Sequence, residues 1–338
     1  MKAMILAAGY GTRLRPVTYT LPKPMVPLCN RPLIGWAVES FLASGVRDFI
    51  VNVHHLPEAI EAYLRERYAQ EATFEFSYEA EILGTGGGVR RVRPLLANES
   101  DFFLVNGDTI QSVPAEALKA ARRNRNAIAA LTLRHPPPGD RFTAVYFRNG
   151  KITGFGQGNG EPLMFAGSHL ISSRIFEHLP DKDFSGIVDE VYMPLIASSR
   201  ETVAGVIDDG LWFDIGTPQR YVGASRALLA LSVNGTLVPA RGTKTIGDSL
   251  AHESASVPGT MMQSVVGERS VIEGTLRDSV VWDDCHVASG AVLESCIVAH
   301  GVRIHSGAKL TNQIICRDEG VPPDAEGVRE HGLVMKAI

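Results

Sequence analysis

Leu6-Ala-Ala-Gly-Tyr-Gly-Thr-Arg-Leu-Arg-Pro16, with Leu21-Pro-Lys-Pro-Met-Val-Pro27 soon after it, stands directly behind a short apolar run, Ala3–Leu6. The run reads as a strand and the small residues as the loop at its end. Ala7, Ala8, Gly9 and Gly11 carry no bulk. The backbone there can approach a base and a phosphate chain closely, with its N–H groups turned toward anionic oxygens. Arg13 adds a planar fork of donors for the same oxygens. Lys23 stands between Pro22 and Pro24, whose rings stiffen its backbone, so its ammonium is suited to stabilising charge at a phosphorus under attack. Neither GxxxxGK[ST] nor GxGxxG is present. The specificity lies in the combination of glycines, Thr12-Arg13 and Pro22-Lys23-Pro24.

Outward from this loop, short apolar runs alternate with amphipathic segments. Leu33–Ser44 reads as a helix ending near Gly45. Phe49–Val53 reads as a strand, Glu58–Tyr68 as a helix, Phe74–Tyr78 as a strand, Gly86–Leu96 as helical and Phe102–Val105 as a fully apolar strand. Such alternation argues for a parallel sheet covered on both faces, with ligands bound at the carboxyl ends of the strands. Asp108 follows an apolar strand and a glycine, and Asp214 lies where another strand runs into a turn. Each carboxylate reads either as a turn or capping group or as an oxygen ligand at the ligand edge. Gly84–Gly88 reads as a loop against a base and ribose, with a plain flexible turn as the alternative. Glu79 and Glu81 read either as hydrogen-bond partners of the base or as solvated loop charges.

Beyond about Leu231 the texture changes to small and β-branched residues. Val280-Val281, Ile297-Val298 and Ile314-Ile315 recur every 17 residues, Val287 matches Ile304, and Ser289-Gly290-Ala291 matches Ser306-Gly307-Ala308. Val265-Val266 and Val271 form a slightly shorter earlier copy. The period suits three short strands per coil, as in hexapeptide-repeat β-helices, whose coils must stack to bury their inward Val and Ile. The boundary falls within Ser232–Gly247. The tail beyond Cys316 loses the pattern and reads as a cap or a free end.

Composition is that of an ordinary globular chain: 338 residues, 45% hydrophobic, 21% charged, formal net charge −4. The balance gives no footprint of nucleic acid or an anionic membrane. Cys29, Cys285, Cys296 and Cys316 form no zinc or disulfide pattern and read as reduced cytoplasmic thiols. His54-His55 ends a strand, and His286, His300 and His305 read as exposed β-helix residues, none with metal spacing. Arg122, Arg123 and Arg125 read as a solvated helix face, and Asp189-Glu190 as charges at a helix start.

The motifs resemble the signature of the sugar-1-phosphate nucleotidyltransferases, or NDP-sugar pyrophosphorylases. The likeness continues at Leu83-Gly-Thr-Gly-Gly-Gly-Val89, Leu104-Val-Asn-Gly-Asp-Thr109 and Trp212-Phe-Asp-Ile-Gly-Thr-Pro218, and the repeat resembles the left-handed β-helix many members carry. The pattern is most similar to mannose-1-phosphate guanylyltransferases, also through Phe76-Ser-Tyr-Glu79. Gly86–Gly88 instead resembles uridylyltransferases for N-acetylmuramate 1-phosphate and heptose-1-phosphate guanylyltransferases. The resemblance implies an α/β fold: a Rossmann-like, mostly parallel sheet covered by helices over residues 1–232, a left-handed parallel β-helix over 245–320, and a tail, 321–338.

It also implies roles. Leu6, Ala7, Ala8, Gly9, Gly11, Thr12, Arg13, Lys23, Gly84, Thr85, Gly86, Gly87, Asn106 and Gly107 would bind nucleotide. Gly87, Asp108, Ala166, Gly167 and Asp214 would bind sugar, Asp108 and Asp214 would hold Mg2+, and Arg13, Lys23 and Asp108 would be catalytic. The partners are an NTP, with GTP favoured, and a sugar 1-phosphate, and the β-helix suggests self-association. One departure stands out. Many members place a Glu-Lys-Pro, whose lysine holds the sugar phosphate, before a strand ending Asn-Ala-Gly. Here Phe155-Gly-Gln-Gly-Asn-Gly-Glu-Pro162 precedes Phe165-Ala-Gly167. Either another cation, such as Arg141 or Lys151, replaces that lysine, or the acceptor differs. Three expectations follow: GDP-mannose formation, transfer of uridylyl or guanylyl to another sugar 1-phosphate, or a catalytically silent NDP-sugar-binding subunit.

Overall fold

The computed structural model describes residues 1–139 and 142–338. They form two compact units, Met1–Gly9 with Ile34–Phe213, and Tyr10–Leu33 with Asp214–Ile338. The division therefore cuts through the glycine-rich loop, between Gly9 and Tyr10.

The first unit is built on a nine-stranded sheet in the order Thr73–Tyr78, Asp48–Val53, Ala3–Leu6, Asp101–Asn106, Glu161–Ser172, Ala129–Arg134, Val203–Ile207, Lys151–Phe155, Val145–Arg148. The four strands from Thr73–Tyr78 to Asp101–Asn106 are parallel throughout. Glu161–Ser172 then runs antiparallel to both neighbours, so the Rossmann-like half is the half that carries the signature. Its three inner strands are apolar runs buried on both faces, whereas the edge strand Thr73–Tyr78 keeps one face exposed. Phe102 and Leu104 share one core with Met4, Ile50, Leu131 and Ile171. Phe103 meets Phe41 of helix α1 (Leu33–Ala43), ring centroids 5.2 Å apart, and Phe49 stacks on Phe74. Runs buried on both faces are what a helix-covered parallel sheet requires. Helix α2 (Pro57–Arg67) begins with its proline at the first turn, where the missing N–H has no intrahelical partner to lose. Helix α3 (Gly84–Arg91) ends early and continues as a 3-10 turn, Arg93–Leu96, because Pro94 cannot extend it. Helix α4 (Ala115–Asn124) packs on Ala129–Arg134 and Val203–Ile207. Its Arg122 is no solvated charge: the guanidinium is 2.7 Å from the Asp101 carboxylate, both side chains mostly buried.

The second unit holds a parallel β-helix with three ladders. One runs through Val265-Val266, Val280-Val281, Ile297-Val298 and Gln313–Arg317, the second through Thr260–Met262 to Lys309–Thr311, the third through Val271-Ile272, His286-Val287 and Arg303-Ile304. Val266, Ile272, Leu276, Val281, Val287, Leu293, Val298 and Ile304 fill its interior, together with Cys285 and Cys296. The early coil is shorter at one corner. Ile272 pairs with Val287 and Thr275 with Val292, so 275 − 272 = 3 faces 292 − 287 = 5. The two extra residues lie at the Ser289-Gly290-Ala291 turn, and the ladders keep register around it. At the far end Leu333–Ala337 turns back antiparallel on Gln313–Arg317 and caps the stack. Helix α5 (Pro218–Val233) also belongs to this unit. Among the described residues no helix is long and apolar enough to cross a membrane.

Candidate active site

In the first unit the parallel register sets Leu6 beside both Asn52 and Asn106 at the carboxyl ends of their strands. The Ala7 N–H donates to Asn52 Oδ1 at 2.8 Å, and Asn52 Nδ2 donates to Glu79 Oε1 at 2.7 Å. Glu79 Oε2 in turn accepts from the Leu83 N–H at 2.9 Å. Asn52 and Glu79 are 3% and 4% exposed. A buried carboxylate therefore ties the first residue of the loop to the entrance of α3. Glu79 is spent on this frame and does not face solvent as a base-reading group would, whereas Glu81 is exposed. Asn52 was not singled out in the sequence. Its signal was a lone amide within the apolar run of Asp48–Val53.

Gly107 is required where it stands. Its N–H donates to the Leu6 carbonyl at 2.9 Å, and a β-carbon would lie 2.7 Å from that oxygen. This close approach turns the chain at the sheet edge and leaves Asp108 partly exposed there, with Thr109 Oγ1 donating to its carboxylate at 3.4 Å. Ala166 and Gly167 sit in a bulge, since Phe165 pairs with Leu133 but His169 with Leu131. Bulges of this kind re-aim the backbone beside functional sites. The Ala166 carbonyl accepts from Trp212 Nε1 at 2.8 Å. Gly167 has φ +99°, and a β-carbon there would be 3.1 Å from Asn106 Nδ2. Gln111, 7% exposed, reaches the same glycine, a contact the sequence did not announce.

The glycines of Gly84–Gly88 have a reason of their own. A β-carbon on Gly84 would lie 2.6 Å from the Ser185 carbonyl oxygen, on Gly86 2.6 Å from Ser185 Oγ, and on Gly87 2.1 Å from the Asp183 carbonyl oxygen. The Gly86 N–H donates to the Ser185 carbonyl at 2.8 Å, and the Ile187 N–H to Thr85 Oγ1 at 2.9 Å. The string is thus the seat of Asp183–Ser185, whatever else it touches.

In the second unit the remainder of the signature folds on itself. Gly11 has φ +63°, and a β-carbon there would lie 2.8 Å from Lys23 Cβ. Thr18 Oγ1 donates to the Gly11 carbonyl at 2.9 Å. Lys23, 7% exposed, opens a 3-10 turn, Lys23–Met25, closed by the Val26 N–H to the Lys23 carbonyl at 3.0 Å. Arg13 is exposed and its guanidinium lies against Gly216, where a β-carbon would be 2.8 Å from Nη1. Thr217 caps α5 by accepting from the Arg220 N–H, with Pro218 at the first helical position. The Asp214 carboxylate is ion-paired with Arg220. Arg13, Gly216 and the start of α5 thus form one cationic corner suited to phosphate.

The described residues hold no group of three or more His, Cys, Asp or Glu placed to bind a metal. Asp108 in the first unit and Asp214 in the second are each a hard oxygen donor of the kind Mg2+ takes, and Arg220 already sets a positive charge against Asp214. Of the replacements for the missing lysine, Lys151 is exposed behind the Asn149-Gly150 turn. Arg141 lies outside the described residues.

Comparison with known proteins now adds three findings. Residues 2–230 match the family model described as Nucleotidyl transferase, and residues 248–329 that described as GlmU-like, C-terminal hexapeptide. The chain is 29% identical to a probable mannose-1-phosphate guanylyltransferase 3 of Oryza sativa subsp. japonica, over 93% of this chain and 86% of that one. It is 27% identical to a UTP–glucose-1-phosphate uridylyltransferase of Synechocystis, over 93% and 87%. The crystal structure of HddC from Yersinia pseudotuberculosis complexed with GMP-PN superposes with a TM-score of 0.56 at 20% identity, covering 67% of this chain and 99% of that one, which supports the fold.

Proposed function

The chain belongs to the nucleotidyl transferase family and is a sugar-1-phosphate nucleotidyltransferase; from that premise we propose that it joins GTP and mannose 1-phosphate to give GDP-mannose and pyrophosphate. One observation supports the choice of substrates: several relatives that match over 93% of the chain bear the guanylyltransferase name, in plants of two species, against the Synechocystis relative with the uridylyltransferase name. In the proposed reaction an oxygen of the sugar phosphate bonds to the α-phosphorus, the α–β bridging P–O bond breaks, and pyrophosphate leaves with that electron pair. The chain supplies positioning and charge rather than a covalent nucleophile. Arg13 holds the leaving pyrophosphate, Lys23 the α-phosphate, and the N–H groups of the small-residue loop line the triphosphate. Asn106 and Gly107 belong with the nucleotide in this reading, and Ala166 and Gly167 with the acceptor. Asp108 and Asp214 are the proposed Mg2+ ligands, and the ion would supply neutralisation of phosphoryl charge. Four buried free thiols support a cytoplasmic setting.

A second reading, uridylyl transfer, is favoured by the Synechocystis relative and by the absence of the family lysine before Phe165. Pyrophosphate release from a matrix of four NTPs against several sugar 1-phosphates decides. Turnover with GTP and mannose 1-phosphate is expected. Turnover confined to UTP overturns the guanylyl assignment. Asp108→Ala should lower kcat by at least about 100-fold, the scale of losing a group that stabilises transition-state charge, with the thermal midpoint retained. Full activity would remove Asp108 from the mechanism.

A further inference from the structure

The loop that carries Lys23 is held from the β-helix. Trp282, 4% exposed and next to the inward-facing Val281, donates its indole N–H to the Tyr221 hydroxyl at 3.0 Å. Tyr221, 1% exposed and on α5, donates in turn to the Pro27 carbonyl at 2.6 Å. The polarity is fixed. An indole N–H can only donate, a carbonyl can only accept, and the phenol between them does both. Burial pushes the Tyr221 hydroxyl far above the usual phenol range, so it keeps its proton and its donor role.

Pro27 closes the Pro22-Lys23-Pro24-Met-Val-Pro27 run and opens a two-residue hairpin. Its turn residues, Cys29 and Asn30, both have positive φ. The hairpin is tied to the same scaffold: Asn30 Nδ2 donates to the Val266 carbonyl at 2.9 Å, on the β-helix ladder that also holds Val281. Lys23 is four residues from the anchored carbonyl, and Pro24 and the closed 3-10 turn lie between them. A chain this stiff passes an anchor's position to its neighbours.

We propose that Trp282 is a positioning residue for nucleotidyl transfer, acting through Tyr221 and Pro27 to set the turn that presents Lys23. The proposal rests on the reading of Lys23 as a group acting at the α-phosphate. It gives the β-helix a part in the chemistry through one hydrogen-bonded line.

Trp282→Phe removes the donor and keeps a ring in place, and Tyr221→Phe removes the link to Pro27. Each is expected to lower kcat about tenfold, the equivalent of about 1.4 kcal/mol, with the KM of the acceptor within about twofold of wild type. The double variant should be no slower than the slower single one, because both cut the same line. In a Lys23→Ala background, Trp282→Phe should cost nothing further, since what it positions is gone. A kcat within twofold of wild type in Trp282→Phe overturns the proposal, as does a multiplying loss in the Lys23→Ala background. A fall in thermal midpoint alone also overturns it. If wild type releases pyrophosphate with no substrate pair, the functional reading falls separately. The relay is then decided by the acylation rate of Lys23 with an N-hydroxysuccinimide ester, followed by peptide mass spectrometry. Faster acylation in Trp282→Phe supports it and an unchanged rate overturns it.

Discussion

Gly9 and Gly11 are two residues apart, and the sequence gives them the same meaning. The structure separates them. A β-carbon on Gly11 would strike Lys23, and its φ of +63° is one that other L-residues adopt at a cost of about 1–2 kcal/mol. A β-carbon on Gly9 would meet nothing within 4 Å. Protein contacts therefore account for Gly11 and not for Gly9, whose proposed role is to let a nucleotide approach. Gly9→Ala should raise the KM for the NTP several-fold while the thermal midpoint stays within a degree or so. Gly11→Ala should lower the midpoint by several degrees. An unchanged NTP KM in Gly9→Ala would remove that residue from the binding surface. Residue type and spacing nominate Arg13, Lys23 and Asp108 as site candidates. They could not show that Asn52 and Glu79 tie Ala7 to Leu83, or that Gly216 lies against Arg13, because each is a contact between segments far apart in the chain.

Among the elements, α3 shows why a glycine string is ambiguous. Glycine in a helix costs about 1 kcal/mol relative to alanine, and α3 opens with Gly84, Gly86, Gly87 and Gly88. What offsets the cost is backbone approach: Asp183–Ser185 lies where β-carbons would be. Nothing in the composition of Asp183–Ser185 marks it as a partner, so a string read as a ligand loop proves first to be a packing seat. Gly87→Ala forces the Asp183 carbonyl to move, and a loss of about 1–3 kcal/mol is expected, the usual scale of overpacking. Urea unfolding measures it, and an unchanged midpoint would mean that the close approach is not held in solution. Arg122 repeats the lesson. Three arginines near a helix end look solvated until the topology brings the first of them onto the buried Asp101.

At the scale of the whole molecule, the alternation of strands and helices and the 17-residue repeat were both legible, because each is a periodicity that local packing enforces. That Tyr10–Leu33 clusters with α5 and the β-helix was not legible, because the loop joins them through single anchors such as Pro27 and Asn30. Removing interior volume from the stack tests this grouping. Leu293→Ala should destabilise the coils by about 2–5 kcal/mol. In hydrogen exchange, amides of residues 10–33 should lose protection together with the β-helix, while those of Asp101–Asn106 keep theirs. Retained protection at residues 10–33 would mean that the loop is stabilised independently of the coils.

The unequal coils carry a lesson of another kind. Between Ile272 and Thr275 the chain turns its corner with two residues fewer than between Val287 and Val292, yet every ladder continues in register. The molecule has in effect already accepted an insertion at that corner. The equivalent turn one coil later ends at Gly307, where a β-carbon would meet nothing within 4 Å. For anyone who wishes to splice an epitope or a fluorophore into this protein, Gly307 is the seam along which it already stretches.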